Sequence, residues 1–346
     1  MFFANDGSID AIVHHKTDST PNLLIRFSLM SLLAVQEDRP IGITSIPRLI
    51  MLVGDHPRKP FGFSDQFLAY QCQANRFVTV IKYVSDPAKR KEDYFNYDYM
   101  ISEINQAFLR CTLTGNLKKT VNDILKTYQS DLIILEDSGK ADLSNLMREV
   151  TALGDLIRFD SLTTVIDSFT AEKTIEDSEE AQKQVMFADV VLLDQKELLD
   201  EIRMQNLIRI LRKLNPRAPV ISAKSRTFDP SLVYGINLMS FNPKLSSETD
   251  FFGEDLEKDD ICDDLCAIRC EIDHAVDKQQ FFKQIEEMPD KVFRIEGLLR
   301  FKNDRFPVHL QYVGGRYDIK YYPNPMFKNQ FVVIVGRNLG DLSIRF

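Results

Sequence analysis

The sequence predicts an α/β protein with a mostly parallel sheet flanked by helices, followed by a smaller α+β domain. Two patterns carry this prediction. From residue 47 to residue 221, short continuous apolar runs alternate with amphipathic helical stretches, as expected of strands buried on both faces and joined by crossover helices. Beyond residue 265 the pattern changes to several amphipathic strands around one helix, which marks a mixed unit. A chain of 346 residues is also long for one core, since a domain usually takes about 100–200 residues.

Residues 1–45 read as an N-terminal extension, with polar, turn-like segments followed by an apolar stretch, Leu23 to Val35, expected to form one helix. Residues 46–240 form the α/β domain. Its strands are expected at Leu49–Val53, Phe77–Ile81, Leu132–Leu135, Leu162–Ile166, Val190–Leu193 and Pro219–Ile221. Its helices are expected at Ser64–Ala74, Asn116–Tyr128, Leu143–Leu153, Ala181–Phe187 and Glu197–Leu214, the last stopped by Asn215-Pro216. Residues 241–264 are a linker. Residues 265–346 form the second domain, with strands at Ala267–Ile272, Val292–Phe301, Val308–Tyr312 and Phe331–Val335 and a helix at Gln279–Met288.

Charge narrows the function. The formal net charge is −8, which argues against a general nucleic-acid binder. Nine acids and the single base Lys258 lie between Glu248 and Asp264, so that segment holds the whole excess. Spaced carboxylates there, without a calcium-loop pattern, read as a solvated linker. Five cysteines do not suggest a disulfide framework and fit a reducing compartment. No run is apolar enough to span a bilayer, and the N-terminal stretch lacks a signal-peptide pattern, so no membrane contact and a cytoplasmic location are expected.

Several segments, taken in order, resemble the CobW-type GTPase metallochaperones from about residue 47 to residue 346. Leu132-Ile-Ile-Leu-Glu-Asp-Ser-Gly-Lys-Ala-Asp142 is similar to that family's strand and E-T-S-G-L-A-D-P turn. Val165-Ile-Asp-Ser168 resembles V-V-D-A. Gln182 to Leu198 resembles Q-x-x-x-A-D-x-x-x-x-N-K-x-D-L, and Leu211 to Val220 resembles L-x-x-L-N-P-x-A-x-I. Near the C-terminus, Phe293 to Arg300, Arg316-Tyr-Asp318 and Phe331 to Arg337 resemble the R-x-K-G, R-Y-x and F-I-G-R elements. The resemblance implies a P-loop NTPase-like fold with a CobW-C-like domain, and chemistry based on GTP, magnesium and a transition metal such as zinc.

The chemical motifs depart from the family pattern. A phosphate loop G-x-x-x-x-G-K-[ST] wraps phosphates in backbone N–H groups, neutralises them with Lys and ligates magnesium through a hydroxyl. The matching stretch is Gly54-Asp-His-Pro-Arg-Lys-Pro-Phe61. It lacks the second glycine and the hydroxyl, and Pro57 and Pro60 have no N–H to give. Charge remains at Arg58 and Lys59. The base-reading N-K-x-D becomes Asp194-Gln-Lys-Glu197, where Glu197 keeps a carboxylate but also suits a helix start. Glu136 and Gly139 keep the Walker-B-like turn, although a tight strand-to-helix turn needs a glycine anyway. The metal motif C-x-C-C becomes Phe108-Leu-Arg-Cys111, and a lone Cys111 thiolate makes no chelate.

A replacement zinc set at Cys262, Cys266, Cys270 and His274 requires a helix. The alternation there reads as a strand with cysteines as small core residues, which puts Cys262 and Cys270 about 26 Å apart. The vestigial nucleotide positions are therefore Gly54, Lys59, Glu136, Gly139 and Glu197, the vestigial metal position is Cys111, and no catalytic residue stands out.

The expected function is that of a pseudo-GTPase scaffold that binds a protein partner, either a metalloenzyme under maturation or a family paralogue. The alternative is a divergent nucleotide-hydrolysing metallochaperone, of which a nitrile-hydratase-activator-like protein is one version.

Overall fold

The computed structural model describes residues 2–3, 9–12, 24–27, 46–54, 77–83, 99–104, 108–113, 116–128, 130–137, 142–194, 199–222, 233–235, 265–321, 330–337 and 339. The acidic linker and the expected helix at 64–74 lie outside these residues. Contacts divide the chain into two compact units, 1–52 with 57–159 and 53–56 with 160–346.

The first unit begins with a three-stranded antiparallel sheet of β1 (Phe2–Phe3), β2 (Ile9–Ile12) and β3 (Leu24–Phe27), in that order. The helix expected from Leu23 therefore starts as a strand, with Leu24 opposite Ile12 and Phe27 opposite Ile9. A short apolar run carries no period long enough to separate the two states, and pairing decided it.

Next come β4 (Arg48–Val53), β5 (Val78–Tyr83), β6 (Tyr99–Ile104), β7 (Phe108–Leu113) and β8 (Leu132–Asp137), in the spatial order β4-β8-β5-β7-β6. All pair in parallel except β6, which runs antiparallel to β7. Strand β8 is buried along its whole length, as its run of Leu and Ile requires. Helix α1 (Leu117–Tyr128) buries Leu117, Val121, Ile124 and Tyr128 on one face, and Asn116 caps its start by accepting from Lys119 N at 2.9 Å. Asp142 caps α2 (Leu143–Thr151) in the same way. Strands β6 and β7 were not expected from sequence.

The second unit contains β9 (Arg158–Asp167), α3 (Ala171–Asp177), α4 (Glu179–Phe187), β10 (Val190–Asp194), α5 (Glu201–Leu214) and β11 (Val220–Ser222). The three strands are parallel, in the order β11-β10-β9. Helix α5 starts four residues later than expected from Glu197, because Asp200 takes extended backbone and its Oδ1 accepts from Arg203 N at 2.9 Å. Its Met204, Leu207 and Leu211 pack with Val191, Leu193 and Val220.

The same unit holds the C-terminal sheet. Its elements are β12 (Cys266–Ile272), α6 (Lys278–Glu286), β13 (Val292–Leu299), β14 (Val308–Val313), β15 (Arg316–Tyr321) and β16 (Gln330–Gly336). The sheet is antiparallel, in the order β12-β16-β13-β14-β15. Helix α6 buries Phe281 and Ile285 in a cluster with Ile295, Phe301, Leu310 and Ile334. Segment 266–272 is a strand, as its alternation predicts, with Ile268, Cys270 and Ile272 on the core side, but only Cys270 of its two cysteines packs against the core. Cys266 is exposed and Cys270 is only partly buried, because β12 is an edge of the sheet. The architecture is the predicted one, a mostly parallel P-loop NTPase-like α/β part and a smaller C-terminal domain. Among the described residues, no helix is long and apolar enough to cross a membrane.

Candidate functional site

Of the six candidate site residues, the described structure places Gly54, Cys111 and Glu136. Lys59, Gly139 and Glu197 lie outside the described residues. Gly54 follows β4 with φ +150°, and a Cβ there would collide with the Val165 carbonyl oxygen of β9. Close backbone packing alone therefore requires this glycine. Gly54 lines a small cleft with Thr164, Ile166, Asp167, Thr174 and Gln184, and Thr164 Oγ1 donates to the Gln184 carbonyl at 2.7 Å.

In the first unit, Glu136 and Asp137 end β8 and are both buried. They stand in register with Lys82 and Tyr83 at the end of β5. Tyr83 in turn donates its hydroxyl to Glu149 Oε1 at 3.0 Å. The carboxyl ends of parallel strands are where open α/β sheets bind ligands, so Glu136 has a suitable position. Cys111 is central in β7, opposite Ile81 of β5 and Ile101 of β6. Among the described residues no group of three His, Cys, Asp or Glu could hold a metal ion. Of the candidate positions, the described ones supply a packing-required glycine at Gly54, a strand-end carboxylate at Glu136 and a thiol position at Cys111, a set that by itself makes neither a nucleotide–magnesium nor a zinc centre.

The most developed polar chemistry lies elsewhere in the second unit, where β9–β11 meet the C-terminal sheet. Arg294 of β13 has no exposed surface. Its Nη1 and Nη2 donate to Asp160 Oδ1 and Oδ2 on β9 at 2.9 and 2.6 Å, and its Nε donates to the Val233 carbonyl at 3.1 Å. Nη1 also reaches Glu296 Oε1 at 3.3 Å, while Gln311 Nε2 donates to Asp160 Oδ1 at 2.8 Å. This fork-to-fork geometry is the strong form of a charge-assisted pair. Nearby, the Tyr234 hydroxyl and Thr163 Oγ1 are 3.2 Å apart, and burial pushes the Tyr234 phenol well above its ordinary pKa.

A second fork joins Arg316 of β15 to Asp189, just before β10, with both Nη–Oδ distances 2.7 Å. Asp189 Oδ2 also accepts from Leu162 N at 2.8 Å, which ties β9 into the same contact. Burial raises the Asp189 carboxyl pKa, and the Arg316 guanidinium opposes that rise. Third, Arg337 Nη2 donates to the Pro216 carbonyl at 3.4 Å and the Asp290 carbonyl at 3.1 Å.

Two of the three contacts join family-like segments to one another, those of Arg316 with Asp189 and of Arg337 with Pro216. Arg294, Arg316 and Arg337, from the R-x-K-G-, R-Y-x- and F-I-G-R-like elements, reach β9, the Ala188-Asp189 pair and the Asn215-Pro216 pair. Asp160 and Asp189 were missed as important residues. The sequence held little signal for them: Asp160 stands in a strand that also carries Arg158, Ser161, Thr163 and Thr164, and only its burial shows that the charge needs a partner.

Residues 79–222 match the CobW/HypB/UreG nucleotide-binding domain, and residues 265–345 match the cobalamin synthesis protein cobW C-terminal domain. The first match begins downstream of β4 and of the 54–61 stretch. The zinc chaperone YjiA of Escherichia coli (strain K12) is 24% identical over 211 residues, which are 58% of this chain and 65% of that protein. The aligned region therefore spans just under two thirds of that relative. Among solved structures, the Zn(II)-bound YjiA GTPase from E. coli aligns over 86% of this chain and 96% of its own, at 19% identity and a TM-score of 0.44. The signal recognition particle 54 kDa protein from Aeropyrum pernix K1, in complex with GDP, aligns over 56% of this chain and 46% of its own, at 12% identity and a TM-score of 0.35.

Proposed function

The chain belongs to the CobW-type family of GTPase metallochaperones, and from that membership we propose that it is a pseudo-GTPase scaffold. In this reading it works in the cytoplasm by binding a protein partner, either a metalloenzyme under maturation or another member of the family. The observation that carries the reading is which family-like residues remain. The family-like arginines are present and make contacts that hold the chain together, Arg294 with Asp160, Arg316 with Asp189 and Arg337 with Pro216. The departures fall instead on the phosphate, base and metal positions, at Pro57, Pro60, Phe61, Asp194, Phe108 and Arg110. Loss of chemistry with retention of the frame suits a protein used for its surfaces. Fold alone does not assign function, so the ligand test decides.

The second reading, a divergent nucleotide-hydrolysing metallochaperone, is favoured by one observation, the buried Glu136 at the carboxyl end of β8. Isothermal titration with GTP and GDP in magnesium, on protein whose fold is checked by circular dichroism, separates the two. The scaffold reading expects a Kd weaker than about 100 μM, or less than roughly 5.5 kcal/mol of binding free energy. Micromolar binding that is lost in Lys59→Ala would overturn it in favour of the second.

A further inference from the structure

Strand β15 carries an unusual edge. It leaves β14 through the two-residue turn Gly314-Gly315, whose φ values are +55° and +89°. Positive φ at both positions is the type I′ hairpin geometry, in which the closing pair, here Val313 and Arg316, is hydrogen-bonded. Alternation then fixes the rest of the strand. Arg316, Asp318 and Lys320 direct their backbone groups at β14, whereas Tyr317, Ile319 and Tyr321 direct theirs away from it. Among the described residues β15 is the last strand in the sheet order. The Tyr317 and Tyr321 side chains are 45% and 67% exposed, and Ile319 lies between them, packed against the α6-side core. An edge with outward amides and an aromatic–aliphatic stripe is a template for another strand.

We propose that β15 pairs antiparallel with β15 of a second copy of the chain, about a two-fold axis through Ile319, so that the two C-terminal sheets become one. Charge complementarity selects both the occupant and the register. An outward-directed residue must face another outward-directed residue, which leaves three registers that overlap most of the strand. Centring on Asp318 opposes it to the partner's Asp318 and sets Arg316 against the partner's Lys320. Centring on Lys320 opposes it to the partner's Lys320. Centring on Ile319 instead sets Asp318 opposite the partner's Lys320, twice by symmetry. That register also places Tyr317 opposite the partner's Tyr321. Opposite charges and aromatic pairs facing across strands are stabilising, and like charges are not. The strand is thus self-complementary in one register, which is the requirement for an isologous interface.

Sedimentation of the full chain up to about 200 μM should show a reversible dimer. Asp318→Lys and Lys320→Asp each create like-charge pairs on both sides of the axis, and each should weaken association at least about tenfold. The exchanged double variant should restore association to within about threefold of wild type, since it rebuilds the same pairs in reverse. Zero-length carbodiimide coupling in a mixture of isotope-labelled and unlabelled wild-type protein should join Asp318 to the partner's Lys320, a readout that needs no variant to fold. A wild-type chain that stays monomeric throughout, single reversals that leave association unchanged, or a dimer without that cross-link would each overturn the proposal.

Discussion

Arg294 shows how much one side chain can carry. Its guanidinium has no exposed surface and makes two bonds to Asp160, one to the Val233 carbonyl and one to Glu296. Taking these charges out of water costs several kcal/mol per ion, and the fork geometry offsets that cost only while both partners are present. Arg294→Ala should therefore destabilise the protein by about 3–5 kcal/mol and lower Tm by roughly 10 °C. Much of that loss is the penalty of leaving Asp160 buried without its cation. Arg294→Met combined with Asp160→Leu should accordingly cost clearly less than the two single changes added together. Thermal melts of the four proteins measure it, and additive losses would show that the pair is not coupled. The arginine was legible in sequence as part of a family-like element. Its partner, 134 residues away, was not, because no period or spacing links the two positions.

Between α4 and α5, the joint depends on Asn215. Its Nδ2 lies within 2.8–3.2 Å of the carbonyls of Val185, Met186 and Ala188 around the end of α4, where helical N–H partners run out, although the Val185 carbonyl also accepts from Ala188 N at 3.3 Å. Its Oδ1 accepts from Arg217 N at 3.1 Å and from Ala218 N at 3.0 Å. One side chain thus ends α4, turns the chain after α5 and aims it into β11. Asn215→Ala removes all of the bonds made by this side chain and should cost about 2–3 kcal/mol in a denaturant titration. Asn215→Asp should cost at least as much, because it brings a carboxylate up to three carbonyl oxygens. An Asp variant as stable as wild type would show that the acceptor bonds alone matter. The sequence placed the stop of α5 correctly from Asn215-Pro216, but placed its start at Glu197 instead of Glu201. A stop marked by proline is a local covalent effect, whereas the start depended on which of several acids took the cap, and Asp200 did. Strands β6 and β7 were missed because the polar stretch before them hid a short hairpin whose partner, β5, is distant in sequence.

For the molecule as a whole, contacts gather residues 160–222 with the C-terminal sheet in one unit. The second half of the α/β domain should then fold poorly alone. A fragment of residues 1–264 lacks Arg294, Gln311 and Arg316, and so strips Asp160 and Asp189 of those partners. It should aggregate or melt without a cooperative transition, as followed by size exclusion and thermal circular dichroism. A cooperative melt at the full-length temperature would refute this. By itself, the sequence determined the order and kind of most elements and the class of the fold, because burial on one face or two is written into periodicity over a few neighbouring residues; the family came from the ordered resemblance of short segments. Only the tertiary structure decided what the family-like arginines do. Arg294, Arg316 and Arg337 find Asp160, Asp189 and Pro216 at separations of 134, 127 and 121 residues. Which buried charge meets which at that distance is set by how the strands are ordered in space and not by any local pattern.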